Sequence, residues 1–462
     1  MSSELLTGFV FALAAVALCC FAIKFVVRRV VGANFKGEDG PLIAWRILTA
    51  RQLEMLFRES APMLGRLLDR RDFSALAKEI RRINSRRLID FERADSIDAV
   101  LDFLDRNQAR PKEVTVEAIS RALGEVAIMH ADGPARYHPF DPPSGPVLVP
   151  AEYDQIASVL LSWPTQYPER WRAHAQLAAL ISHCATACVV VPNATWAAAV
   201  SISINAAGGK RDCVKFICAP NDDVWIRDFG PTLVRTSNGP AFVANPYTPN
   251  GLGFHKRDHE LPIEIARVHG LPVHRVPLVI EGGNLVSDGA GRLFLTDSVF
   301  EHNADIDQAV LSEIMFKWYG ASELTLLPAL PGEITGHVDI ALKLARGGGA
   351  WVTEAPRGHP WHDTLNEIAA IVSKTRAPTG SFYRVVRMPM AETAGGHSEL
   401  CYCNALSLNG SILYPSYSAA TDHYARQAFL ALEPDARLHG VDFRDFRIGA
   451  LHCQTKEIAQ YE

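Results

Sequence analysis

The sequence predicts an α/β domain reached through a helical region and preceded by one membrane-crossing segment. Three observations predict it. The N-terminus carries a long uncharged apolar run, an Arg- and Leu-rich stretch poor in glycine follows, and short β-branched runs then alternate with amphipathic segments to the end of the chain. With 462 residues the chain is too long for one small domain. Its 48% hydrophobic and 21% charged residues are ordinary for a folded protein. A net charge of −5 gives no electrostatic reason to expect nucleic acid as a partner.

The apolar run comes first. No charge appears from Leu5 to Ile23, and Phe25-Val26-Val27 resume the run after Lys24. This is about the length that crosses a bilayer core, so residues 1–30 are expected to be a transmembrane anchor, with 5–27 in the membrane. A cleavable signal peptide would start basic, whereas the early side-chain charge here is Glu4. Lys24, Arg28 and Arg29 follow the run, which by the positive-inside rule predicts a single-pass protein with its body in the cytoplasm.

Residues 31–135 are expected to form a helical juxtamembrane region. Ile97, Val100, Leu101 and Leu104 recur at helical spacing behind Ser96, a residue suited to cap the helix. The basic pairs Arg81-Arg82 and Arg86-Arg87 read as a solvated helix face, with contact to anionic head groups as the alternative. Residues 136–146, with Pro139, Pro142, Pro143 and Pro146, read as a linker, because proline at this density disfavours helix and sheet alike. The last domain is expected over 147–462. Its strand candidates include 189–191, 214–217, 293–295, 324–327 and 383–386, and its helix candidates lie near 169–184, 306–319, 362–374 and 422–432. The nine cysteines show no zinc-type spacing and no disulfide framework, which points to a reducing compartment.

Four stretches mix acids, His, Trp or Cys with glycine or proline. They are Asn221-Asp222-Asp223-Val224-Trp225-Ile226-Arg227-Asp228-Phe229-Gly230-Pro231, Glu281-Gly282-Gly283-Asn284, Gly332-Glu333-Ile334-Thr335-Gly336-His337-Val338-Asp339, and Leu451-His452-Cys453-Gln454-Thr455. In order and spacing they resemble the family of agmatine deiminases and bacterial-type peptidylarginine deiminases. Ser162-Trp163-Pro164, Tyr402-Cys403-Asn404 and Leu413-Tyr414-Pro415 extend the resemblance over 147–462. It implies a pentein α/β-propeller, five ββαβ-like units around a central site, and a reaction needing neither metal nor organic cofactor. It places Cys453 at the nucleophile and Asp228 and Asp339 at the two guanidinium-binding aspartates. The partner it implies is a small guanidino compound or a peptidyl arginine; a homo-oligomer is compatible with it.

The residue types suit that chemistry. A guanidinium is planar and charged at any physiological pH, so it is a poor electrophile that a site must grip by its edges. Carboxylates accept its paired N–H groups, which suits Asp228 and Asp339. A thiolate attacks the central carbon and forms a covalent intermediate, which suits Cys453. The bound cation would itself lower the thiol pKa. His337 and Asp339, two apart, share one face if the segment is a strand. His337 would protonate the leaving ammonia and then deprotonate the water. Trp225 could cover the flat face of the cation. By resemblance, Glu333 would hold a substrate's amino end and Asn404 would lie near the substrate.

Each residue also has a plainer reading. A lone cysteine often packs, His-x-Asp is often a structural pair, and Asp222, Asp223 and Asp228 could populate a turn. The order of all four stretches outweighs these. Glu281-Gly282-Gly283-Asn284 is read as a tight turn shaping the site. The loop 245–254 contains no arginine, although His255, Lys256 and Arg257 follow it. Agmatine is therefore the leading expected substrate. Peptidyl-arginine deimination, an amidinotransferase, and a catalytically silent membrane-tethered guanidine sensor are the alternatives. A papain-like hydrolase would need its cysteine before its histidine, and here His337 comes first.

Overall fold

Parallel strands cannot be joined by tight turns and need a crossover, usually a helix. This chain uses that device repeatedly. Strands Leu342–Ala345 and Gly349–Glu354 form a hairpin, helix His362–Lys374 crosses over, and strand Arg384–Pro389 returns parallel to the second strand. Leu406–Leu408, Ser411–Ser416 and Arg437–Asp442 repeat the pattern around helix Ala419–Leu432. Val286–Ser287, Arg292–Thr296 and Glu323–Leu327 repeat it around helix Gln308–Tyr319. Thr232–Thr236, Gly239–Ala244 and Val273–Arg275 do so around helix Lys256–His269. The fifth sheet differs: strand Lys456–Ala459 pairs antiparallel with Ile156–Ser162, which is followed by the parallel strands Thr186–Val191 and Val214–Cys218. That pairing carries the sequence just after Cys453 back to the beginning of the domain.

This computed structural model describes residues 90–164, 167, 170–247, 255–333, 335–391, 400–444 and 450–461. Among them the β-branched runs expected as strands are strands, and helix Ile97–Arg106 begins at Ser96, whose Oγ accepts from the Ala99 amide at 3.2 Å. The Gln308–Tyr319 helix starts on an Asp307 cap and stops at Gly320 in the left-handed conformation, φ 69°.

Helix Ala194–Ala206 is apolar on nearly every side, so it needs cover on both faces. One face packs on the Thr186–Val191 and Val214–Cys218 strands; the other is closed by residues 90–124. There Phe91 stacks on Trp196 at 4.2 Å, and Phe103 and Trp171 complete the cluster. The Trp196 indole N–H donates to the Phe91 carbonyl at 2.9 Å. The described end of the expected juxtamembrane region is thus part of the same core as the sheets.

Two expectations are corrected. Residues 136–146 are not a free linker: Tyr137–Pro139 pairs parallel with Val273–Arg275 as an edge strand, where proline costs no ladder bond. Val147–Leu148 then lies on the opposite edge of that sheet, against Thr236 and Arg235. The second correction concerns the membrane. Among the described residues no helix is long and apolar enough to cross a bilayer. The longest have 14 residues, roughly 21 Å at 1.5 Å per residue, against a hydrocarbon core of about 30 Å. This overturns the expected single-pass placement with a cytoplasmic catalytic domain. The segment on which that expectation rested, 5–27, and the basic pairs at 81–87 lie outside the described residues.

Candidate active site

The site is assembled from four short turns rather than from regular elements. Asp228 sits on the single helical turn Ile226–Phe229, and Gly282–Asn284, Val338–Ile340 and His452–Gln454 are 3₁₀ turns. Each lies at the end of a strand or crossover, where the backbone is free to present side chains inward. The expected strand across His337–Asp339 is therefore corrected. His337 is extended (φ −80°, ψ 142°) and the chain then tightens into the 3₁₀ turn that carries Asp339, so no strand holds the two side chains on one face.

Two clusters result. In the first, the Asp228 Oδ1 accepts from the Gly283 amide at 3.0 Å and lies 3.6 Å from the His337 Nδ1. The His337 Nε2 meets the Glu281 Oε2 at 2.8 Å. Gly283 makes this approach feasible, because a Cβ there would fall 2.4 Å from His337 Nδ1 and 2.8 Å from Asp228 Oδ1. In the second, the Asp339 Oδ2 pairs with the His452 Nδ1 at 2.7 Å. The Asn404 Nδ2 donates to the Cys453 Sγ at 3.3 Å, while its Oδ1 accepts the amides of His452 and Cys453 at 3.0 and 3.3 Å. Asn404 thus fixes both the sulfur and the turn that carries it.

All four expected catalytic residues are buried: Cys453 is 6% exposed, Asp228 6%, His337 3% and Asp339 2%. Charge joins the clusters. Burial first, then the charges of Asp339 and Asp228, push the Cys453 thiol well above its usual range, against a modest lowering by Asn404. Burial is also the largest influence on Asp228 and raises it; His337 opposes this while Glu281 and Asp339 add to it. For His337, burial disfavours charge, but Asp228, the hydrogen bond to Glu281, and Asp339 together prevail and raise it to about 10. The Oδ1 of Asp339 is buried with no hydrogen-bond partner among the described residues. A buried carboxylate oxygen in that condition is costly, and it calls for a donor from outside.

Trp225 is half-buried, with the Arg170 guanidinium 5.2 Å from its ring centroid and Tyr167 edge-on at 6.4 Å. One aromatic face expected to cover a substrate cation already carries a cation of the protein. The Glu333 Oε2 accepts from the Thr335 amide and hydroxyl and the Gly336 amide at 3.0, 2.8 and 2.6 Å, so this carboxylate shapes the turn leading to His337. Sequence reasoning missed Glu281 as the imidazole's partner, quoted His452 beside the nucleophile without giving it a role, and missed Glu152 altogether. The signal for Glu281 was present: an acid placed before two glycines is poorly explained by turn geometry alone.

Asp228, Glu281 and His337 could also be drawn as a metal-binding trio. His337, however, has one nitrogen against each carboxylate, and this pairing already supplies their positive charge.

A buried thiol, an imidazole and paired carboxylates on an α/β fold define an enzyme of covalent hydrolytic type, acting on a C–N bond of a cationic electrophile. Residues 148–458 match the family described as Porphyromonas-type peptidyl-arginine deiminase, and the chain belongs to that family. A Marinomonas protein provisionally named an agmatine deiminase is 24% identical over 351 residues, covering 68% of this chain and 94% of the relative. Two solved structures share the fold. The agmatine deiminase of Enterococcus faecalis superposes with a TM-score of 0.60 at 18% identity, over 67% of this chain and 95% of its own. A point variant of the C. jejuni agmatine deiminase with substrate bound gives 0.59 at 16%, over 68% and 96%.

Proposed function

We propose that residues 147–462 form a deiminase domain that hydrolyses the guanidinium of agmatine to N-carbamoylputrescine and ammonia. We further read its five sheets as the blades of a pentein propeller around this site. The observation that carries the reading is the unmet hydrogen bond of Asp339: a buried carboxylate oxygen without a donor, in a site whose other carboxylate, Asp228, is destabilised by burial. A planar cation that donates along its edges, such as guanidinium, satisfies both at once.

Agmatine is favoured over substrates bearing a carboxylate because two of the three basic residues after loop 245–254, His255 and Arg257, are already engaged, while Lys256 is exposed beside Glu260. Arg257 pairs with Glu92 and lies 3.6 Å from Asp222, and the His255 Nδ1 pairs with Asp258 at 2.9 Å. Asp223, beside Asp222 in the chain, is a further buried acid. A substrate whose far end is an ammonium fits such surroundings; a carboxylate is repelled.

Mechanistically, guanidinium between Asp228 and Asp339 offsets the two charges that add to burial in raising the Cys453 thiol, so substrate binding favours the thiolate, whose proton leaves to solvent. Sulfur attacks the central carbon, the C–N bond breaks, and His337 gives its proton to the leaving nitrogen. The neutral imidazole then takes a proton from water, hydroxide adds to the thiouronium, and the C–S bond breaks as the adduct's hydroxyl proton returns to sulfur; the proton first lost from the thiol is the one that makes ammonia ammonium. Guanidinium plus water gives a neutral ureido group plus ammonium, so the protons balance. Ammonia release from agmatine, free arginine, an arginine-terminated peptide and a methylated arginine tests this. Agmatine is expected to be the best substrate, and release from none of the four would overturn the proposal.

A further inference from the structure

The machinery above leaves one buried cluster unused. His452, the residue before the nucleophile, lies between two carboxylates: its Nδ1 is 2.7 Å from the Asp339 Oδ2 and its Nε2 is 2.6 Å from the Glu152 Oε2. Glu152 is itself fixed, since its Oε1 pairs with Lys343 and accepts from the Ser407 amide at 2.6 Å. Lys343 is anchored in turn by donating to the Ala405 carbonyl at 2.9 Å.

We propose that Glu152 and His452 are positioning residues: they clamp Asp339 through one oxygen so that the other is presented to the guanidinium in a fixed direction. Packing alone does not do this. A chamber of about 40 Å³ is lined by Asp339, His452, Glu152, Arg227, Lys343 and Lys456, so packing does not close every side of the residue. An aspartate in such a setting keeps its rotamer through hydrogen bonds rather than through contact. The clamp also ties ligand to nucleophile. The His452 amide donates to the Asn404 Oδ1, and the next residue in the chain is Cys453.

A metal reading of the same cluster fails on charge. Glu152, His452 and Glu457 have ligand atoms close enough to share an ion. Yet Glu457 is held by both terminal nitrogens of Arg227 at 3.1 and 2.5 Å, and Glu152 by Lys343. The cations that these carboxylates require are side chains already in place.

The inference rests on Asp339 being a guanidinium ligand, and the test separates the two claims. Cys453 is alkylated with chloroacetamidine, whose amidinium imitates the substrate's charged plane, and with neutral chloroacetamide. Wild-type protein, His452→Asn and Glu152→Gln are compared, each variant serving as its own folding control. In wild type the amidinium reagent is expected to react much faster. In both variants that preference should fall about tenfold or more, the range expected for a lost charge-assisted hydrogen bond, while the neutral rate stays within about threefold. KM for agmatine should rise by more than kcat falls. Variants that keep the wild-type preference, or that lose both rates together with their melting temperature, would overturn the positioning role. A wild-type protein without any amidinium preference would overturn the deiminase reading itself, and this inference with it.

Discussion

The cap formed by residues 90–124 and the layer of turns around Cys453 are both buried, but they are built on opposite terms. In the cap, Phe91, Phe103, Trp171 and Trp196 meet ring to ring, and the polar atoms that go inside are paired. The Asn193 amide donates to the Ala94 carbonyl at 3.2 Å, and the Thr195 hydroxyl to the Asp95 carbonyl at 2.7 Å. In the site, two aspartates, an imidazole and a thiol are buried beside the half-buried Glu281, and one carboxylate oxygen has no donor among the described residues. The first arrangement minimises free energy without a ligand; the second reaches its minimum only with one. Substitutions should therefore separate into those that chiefly change folding and those that chiefly change chemistry.

The largest effect belongs to the nucleophile. Cys453→Ala should abolish ammonia release while still binding agmatine by calorimetry; normal turnover would remove the thiol from the mechanism. Gly283→Ala comes next. Its methyl group would enter the space between His337 and Asp228, and both are held too tightly to yield. The expected result is a loss of kcat/KM of about a hundredfold or more, as small misplacements in a site produce, with a fall in stability of about 1–3 kcal/mol from overpacking. A variant with near-normal activity would show that the two side chains need not meet.

How much of this was legible in the sequence follows the same division. The strands and long helices were readable because burial imposes a period and caps leave a signature, as at Ser96 and Asp307. Cys453, His337, Asp228 and Asp339 were readable only through their resemblance to a family, since over a hundred residues separate the thiol from the others. What brings them together is the antiparallel pairing of Lys456–Ala459 with Ile156–Ser162, and a long-range pairing of this kind leaves no local mark. The cap failed for another reason. Residues 90–124 do show an amphipathic helix pattern, but the pattern does not name the surface it buries against. The partner, Ala194–Ala206, is apolar all round and has no face to read. Glu152 has no distinctive spacing, and His452 stands out only as the nucleophile's neighbour; the role of each exists only in its contacts.

Phe91→Ala tests the cap directly. Removing a ring that is 1% exposed and stacked at 4.2 Å should cost about 3–5 kcal/mol of stability, read as a lower urea midpoint. Activity per folded molecule should be unchanged. If kcat/KM fell in step with stability, the cap and the site would be coupled, and the Glu92–Arg257–Asp222 ion pairs would be the path to examine.

The subtlest effect is the pH dependence of the empty site. His337 has a folded pKa raised to about 10, above its unfolded value near 6.5. A group of that kind contributes stability that is full below about pH 6.5 and is lost as pH rises through 10. Asp228 acts in the same direction, because a carboxyl raised by burial favours the folded state when protonated and disfavours it when ionised. The unliganded protein should therefore lose stability from about pH 4, through Asp228 and its folded value of about 7, to about pH 10, through His337, by a few degrees in melting temperature. Saturating agmatine on Cys453→Ala should flatten the slope, since a bound cation favours the ionised aspartates that the empty pocket resists. In Asp228→Asn, the leading charge that raises His337 is gone and only Glu281 and Asp339 remain to raise it, so the slope should be shallower than in wild type. A slope that ignores both the ligand and Asp228 would locate the titration elsewhere, and the idea of a site completed electrostatically by its substrate would fall with it.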